Sequence, residues 1–267
     1  MPFENPQQPA AAQPQTAYPV APTAPEVTVG SLLSRTFGVW SRSLWRFFGF
    51  TLVLLIPVFL LAALGGVLVA SRAAAGEIPR PGAMAAVFAV LVPLMVVVSA
   101  VQMGGLTHGG VRGLAGQPVR IGGMFSSGFG RILPLVGAMI VVGVCVMLGL
   151  VLLIVPGVIL ACGFSTVFAV VVAERKGPLE AMARSWELTR GHRGTYFLAV
   201  LVMLLVLLGV GLVAGALNLI PILGQLVGLF VQILFGSLGT LLPAVAYHDL
   251  RVLKEGTPTE ELARVFE

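Results

Sequence analysis

Residues 132–173 read ILPLVGAMIVVGVCVMLGLVLLIVPGVILACGFSTVFAVVVA, without one Asp, Glu, Lys or Arg. As one unbroken helix this run would be about 63 Å long at 1.5 Å per residue, twice the hydrocarbon thickness of a bilayer. It therefore has to turn, and Pro156-Gly157 is the place the sequence offers. Other uncharged runs lie outside it, among them 47–71 and 195–247. The last is again too long to cross once, and Asn218 and Pro221 supply its break. In the first half, Arg72, Glu77, Arg80 and Pro81 separate one apolar span from the next.

The reading is six transmembrane spans, at about 48–70, 84–106, 132–154, 157–173, 195–217 and 222–247, arranged as three hairpins. Composition agrees: the 267 residues are 57% hydrophobic and 10% charged, with a mean hydropathy of +1.00. A soluble surface needs roughly 25–35% charged residues. The predicted class is an all-α polytopic membrane protein.

The net charge of +5 raises the question of nucleic acid, and the positions of the basic residues answer it. Fourteen of the 16 flank the spans on one side, from Arg35, Arg42 and Arg46 through Arg112, Arg120 and Arg131 to Arg251, Lys254 and Arg264. Only Arg72 and Arg80 fall opposite. This is the positive-inside pattern, and it predicts both termini in the cytoplasm and no nucleic-acid partner. Cys145 and Cys162 lie within apolar runs and read as small packing residues.

Residues 1–28 hold seven of the 18 prolines and only Glu4 and Glu26 as charges. The segment cannot build a core, and it lacks the basic start and apolar stretch of a signal peptide. It reads as a retained, disordered, partly polyproline II tether, with Pro19, Pro22 and Pro25 spaced to dock a partner's groove. Residues 29–257 form the membrane domain, and 258–267 a short tail.

Ahead of each hairpin comes a similar segment: LLSRTFG at 32–38, MFSSGFG at 124–130 and AMARSWE at 181–187. Each carries an apolar residue four positions before an aromatic one (Leu33 and Phe37, Phe125 and Phe129, Met182 and Trp186), which predicts an interfacial helix used three times. In the first, Leu33, Phe37, Trp40, Leu44 and Phe47 share a face, while Arg35, Arg42 and Arg46 share another that is placed to meet anionic lipid headgroups. The third opens at Gly177-Pro178 and closes at Gly191, with Glu180 and Arg184 spaced for an ion pair.

The spans carry no ionisable residue at mid-membrane, where carriers coupled to protons or ions usually place one. Their neutral polar residues include Gln102, Gln225 and Gln232, candidates for interhelical hydrogen bonds or, less directly, for a polar path. Gly211 and Gly215, with Gly224 and Gly228, form matched GxxxG pairs that predict close contact between spans 5 and 6. At the cytoplasmic helix ends, Glu174, Asp249 and Arg251 are placed to pair with Arg184, Arg190 or Arg193. Together with Trp186 they form the candidate structural or binding cluster.

The stretch Val171-Val172-Ala173-Glu174, Gly177-Pro178-Leu179-Glu180-Ala181 and Arg184-Ser185-Trp186-Glu187-Leu188-Thr189-Arg190-Gly191, followed by Tyr247-His248-Asp249-Leu250-Arg251, resembles the six-helix membrane domain fused to some bacterial glycerophosphoryl diester phosphodiesterases and found in related stand-alone inner-membrane proteins. The resemblance covers about residues 29–257. It implies a multipass domain of the bacterial cytoplasmic membrane without an established activity of its own. The catalytic domain of those enzymes carries a His-Arg-Gly motif, and His192-Arg193-Gly194 repeats the tripeptide here. Metal-assisted hydrolysis also needs gathered carboxylates and usually a second histidine, and no acidic cluster or βα repeat accompanies it. The sequence therefore predicts no catalytic set, no cofactor and no metal site. Its leading functional expectation is a non-catalytic scaffold or accessory subunit, and its rival a transporter or lipid-moving protein.

Overall fold

A computed structural model describes residues 27–76, 81–217, 220 and 223–256. The proline-rich stretch 1–26, Glu77 and Arg80, the break at Asn218 and Pro221, the Gln225 side chain and the tail 258–267 lie outside the described residues. Among the described residues there is no strand. The helices are α1 (Val29–Ala74), α2 (Pro81–Leu114), α3 (Ile121–Phe129), α4 (Ile132–Leu152), α5 (Ile154–Gly163), α6 (Val167–Ala173), α7 (Pro178–Leu188), α8 (Arg193–Leu217) and α9 (Leu223–Glu255).

Six helical segments are long and apolar enough to cross a membrane, with α5 and α6 together making the fourth. Leu133, Val151 and Leu152 are 85%, 80% and 77% exposed. Surfaces of this kind are stable only against lipid, so the protein is an all-helical, multipass membrane protein. Successive spans pair as α1 with α2, α4 with α5, and α8 with α9, while α9 also packs on α1, α2, α6 and α7 and so forms the centre of the bundle.

The turn between spans 3 and 4 comes three residues earlier than Pro156. Leu153 takes an extended conformation (φ −162°, ψ 142°), and Pro156 sits in the first turn of α5, where its missing N–H costs nothing. Gly157 has a different job. A Cβ there would lie 2.5 Å from Leu150 Cγ and 2.6 Å from the Leu150 backbone nitrogen. The glycine is what lets α5 lie directly on α4.

The first interfacial helix is not separate. Nothing between Arg42 and Phe47 interrupts helix formation, so α1 runs on from the interface into the membrane and only bends, at Ser43 (φ −120°, ψ 17°). Thr28 and Ser31 cap its start reciprocally. The second and third, α3 and α7, are distinct helices. The threefold repeat reappears as a burial pattern shifted by one residue from the apolar–aromatic pairs. Leu32 and Thr36, Met124 and Gly128, and Ala181 and Ser185 occupy its first and fifth positions, and all six are buried. The aromatics at the sixth position lie toward the outside: Phe129 and Trp186 are exposed, and Phe37 is half-buried. Each fourth position makes a polar tie to another helix: Arg35 to Asp249, Ser127 to His108 and Arg184 to Glu174.

Spans 5 and 6 pack together as α8 and α9, but Gly211 and Gly215 are not where they touch most closely. A Cβ added at Gly211 or Gly215 would meet nothing within 4 Å. These glycines line a crevice of about 560 Å³ between α8 and α9, together with Leu207, Leu229 and Phe235.

Candidate functional site

The fourth span breaks inside the membrane, at Phe164–Thr166. In an unbroken helix the Val167 N–H would bond the Gly163 carbonyl; here it bonds Phe164 instead, at 3.2 Å. The carbonyl left over needs a donor, because an unsatisfied backbone group in lipid costs several kcal/mol. Helix α7 supplies it. Ser185 Oγ donates to the Gly163 oxygen at 2.8 Å and accepts from Thr166 Oγ1 at 2.8 Å, and Thr189 Oγ1 lies 3.2 Å from the same carbonyl. Trp186 covers the break from outside, its ring occupying the space a Cβ on Gly163 would need, at 2.4 Å.

Helix α7 is therefore wedged into the bundle, with Ala181, Ser185 and Leu188 buried. It does not merely lie beneath it. Its start matches the sequence signal, with Gly177 as N-cap and Pro178 following; its end comes earlier than Gly191, at Leu188 with Thr189 as C-cap, and Gly191, at φ +89°, serves the turn beyond. Ser185→Ala removes the donor to Gly163 and the acceptor for Thr166, both buried. It is expected to cost about 1–3 kcal/mol, read as earlier thermal unfolding in detergent, while Ala183→Ser on the exposed side of α7 should leave the transition in place.

On the basic face, Glu174 at the end of α6 receives Arg184 Nε at 3.2 Å, Lys176 Nζ at 3.0 Å and the Tyr247 hydroxyl at 3.2 Å. Tyr247 accepts in turn from Arg251 Nη1 at 2.8 Å. Arg251 Nε and Arg184 Nη2 meet on Glu255. Burial alone would raise the Glu174 pKa; hydrogen bonding and charge from Lys176 and Arg184 outweigh it and hold the carboxyl below its ordinary value. Glu174, Arg184 and Arg251 from the sequence-derived cluster thus come together as one network joining α6, α7 and α9.

Asp249 does not join that network. It is 1% exposed and pairs across to α1, with Arg35 Nη1 at 2.7 Å and His248 Nδ1 at 3.0 Å from its Oδ1. Asp249 lies on the side of α9 that packs on α1, so the arginine it meets comes from α1 and not from α7. Arg35 is accordingly an internal tie, while Arg42 and Arg46 are exposed. Arg184 turns to Glu174, Glu187 and Glu255 rather than to the exposed Glu180 expected of it. The Arg190 side chain is exposed, but its carbonyl accepts from Lys254 Nζ at 2.9 Å. Trp186 lies 3.5 Å beneath the Arg193 guanidinium, so the His-Arg-Gly tripeptide contributes a stacking arginine. Gln102 is half-buried on α2, and exposed Gln232 lines the α8–α9 crevice.

Sequence reasoning missed Tyr247, Lys254 and Glu255. Their clue was position: all three fall within two turns of Asp249 and Arg251 on the helix that forms the centre of the bundle. It also missed His108 and Ser127, 2.7 Å apart. Ser127 Oγ lies 2.9 Å from the Gly123 carbonyl, which can only accept, so the imidazole donates to the hydroxyl. That polarity suits packing and is the reverse of what an activated nucleophile requires.

Above this face, deep among the spans, is a cavity of about 440 Å³ bordered by Met139, Val142, Phe168, Tyr196 and Pro243, with Thr107 among its polar members. It is overwhelmingly apolar. Among the described residues, no three or more His, Cys, Asp or Glu side chains are grouped to hold a metal ion.

Fold and face together define a polytopic helical membrane protein whose broken fourth span is closed by an interfacial helix. No family model, curated protein or solved structure matches the chain.

Proposed function

We propose that the chain is a non-catalytic protein of the bacterial cytoplasmic membrane, acting as a scaffold or accessory subunit, with its basic face and both termini toward the cytoplasm. The observation that carries this reading is where the charges are spent. Of the acidic side chains among the described residues, Glu174, Asp249 and Glu255 each tie one helix to another through an arginine, and exposed Glu187 adds a looser pair with Arg184 at 3.7 Å. A reaction centre would need titratable groups turned toward a substrate. The resemblance to the membrane domain of glycerophosphoryl diester phosphodiesterases supports the same reading, as does the positive-inside distribution of Arg and Lys.

Affinity purification of the full chain in mild detergent tests it. A stoichiometric partner protein is expected, and its recovery should fall when residues 1–28 are deleted if the proline-rich tail contributes to docking. Turnover of a lipid diester by the purified chain would overturn the proposal. One observation favours the rival, a lipid-moving protein: the apolar cavity beside the broken span is the kind of space an acyl chain enters. Lipid scrambling in proteoliposomes containing the purified chain alone would move the assignment there.

A further inference from the structure

Where α1, α2 and α9 meet on the basic face there is a second, polar recess of about 390 Å³, lined by Ser34, Arg35, Gly38 and Arg42 of α1, Gly113 of α2 and His248 of α9. The α1 residues lie at i, i+1, i+4 and i+8, so one side of that helix forms a wall. The close approach of α2 makes another: a Cβ on Gly113 would come within 2.6 Å of Val39 Cγ1.

His248 is 2% exposed. Its Nδ1 faces the Asp249 carboxylate, which can only accept, so Nδ1 carries a proton. Its Nε2 is buried and has no hydrogen-bond partner among the described residues. A buried imidazole nitrogen left this way implies a ligand or water that completes it. The Asp249 Oδ2 oxygen is likewise without a donor, but that carboxylate's charge is answered by Arg35 through Nη1. Arg35 borders the recess as well as meeting Asp249, and Arg42, exposed, makes no ion pair among the described residues. Two guanidiniums against one carboxylate leave the recess with one positive charge in excess.

We infer that this recess binds a phosphate monoester, its oxygens on Arg35 and Arg42 and its P–OH hydrogen-bonded to His248 Nε2. The arginines supply the planar, multidentate donors that phosphate oxygens take. The histidine distinguishes a monoester from a diester, because only a monoester brings a hydroxyl whose proton can lie between the phosphate oxygen and an imidazole nitrogen. A monoester can arrive on a lipid, as phosphatidic acid, or from water, as glycerol phosphate, and inorganic phosphate offers the same P–OH as a minimal probe.

The experiment uses the full chain in phosphatidylcholine nanodiscs. In one arm inorganic phosphate and glycerol phosphate are titrated by calorimetry; in the other, phosphatidic acid or phosphatidylglycerol is included and retained lipid is counted by native mass spectrometry. Saturable one-to-one binding is expected in at least one arm, and the arm identifies the source. Arg42→Gln should weaken it about fivefold, the loss of one cation near a phosphate layer. Gly38→Leu should abolish it by filling the recess. An added Cβ at Gly38 meets nothing within 4 Å, and leucine favours the helix, so this variant keeps the fold. Phosphatidic acid should be retained about tenfold over phosphatidylglycerol, one hydrogen bond's difference. Absence of saturable binding in both arms, binding indifferent to Gly38→Leu and Arg42→Gln, or, where lipid is the species bound, equal retention of the two lipids would overturn the inference.

Discussion

Gly157→Val is expected to destabilise the protein by about 3 kcal/mol, the upper end of what overpacking a closed contact costs. The Cβ alone would come within 2.7 Å of three atoms of Leu150, one of them backbone nitrogen. A side chain can change rotamer to make room; a main chain inside a helix can do so only if the whole α4–α5 hairpin opens. Opening it gains no compensating hydrogen bonds, because both arms of the hairpin are apolar helices. The check is thermal unfolding in mild detergent followed by size-exclusion chromatography, beside Gly143→Val as control. Gly143 lies on the same α4 helix, yet a Cβ there meets nothing within 4 Å. Equal melting of the two variants would mean that α4 and α5 are not in contact at Gly157.

Glu174→Gln is the second large effect, at about 2 kcal/mol. The Glu174 side chain is 9% exposed, and its loss of charge weakens hydrogen bonds from Arg184, Lys176 and Tyr247 together. Arg184 keeps Glu255, and Lys176, 37% exposed, turns to solvent, which keeps the cost below that of a fully buried pair. The dependence on pH follows from the lowered pKa. A carboxyl whose folded pKa lies below its ordinary value of 4.5 contributes its full stabilisation above that value and loses it as pH falls through the folded one. Wild type should therefore exceed the variant at neutral pH, and the gap should close on acidification. A gap that is constant from neutral pH to below the carboxylate range would show that the loss is one of shape and not of charge.

Both predictions concern contacts that hydropathy cannot see. Periodicity and charge in residues 132–173 announced two spans and a turn, but placed the turn at Pro156, since proline is the conspicuous breaker. The chain turns instead at Leu153, and proline serves the first turn of α5. The break at Phe164–Thr166 was hidden for a related reason: Gly, Phe, Ser and Thr are all tolerated in a membrane helix, and only the hydroxyls of α7 arriving at Gly163 make the interruption affordable. Likewise the GxxxG pairs named residues small enough for close contact, whereas in the structure Gly211 and Gly215 border a crevice between α8 and α9 and a Cβ at either would meet nothing within 4 Å.

On the basic face the sequence identified Glu174, Arg184 and Arg251 as partners because they fall at neighbouring helix ends. It paired Asp249 with the wrong helix. Asp249 is 214 positions from Arg35, and no local spacing rule reaches that far. The His248 nitrogen that motivates the phosphate recess could not be read from sequence either, since an orphaned atom exists only once its surroundings are in place.

The order of the spans, their number, the side on which charge collects and the start of α7 were decided by composition and local pattern alone. Those depend on transfer of each segment between water and lipid, a cost set residue by residue. Which helix touches which, where a helix breaks within the bilayer, and which cation answers which carboxylate were decided by the tertiary structure. Between apolar helices already in lipid there is little hydrophobic drive to choose a partner, so shape and a few polar ties make the choice, and neither exists before the helices meet.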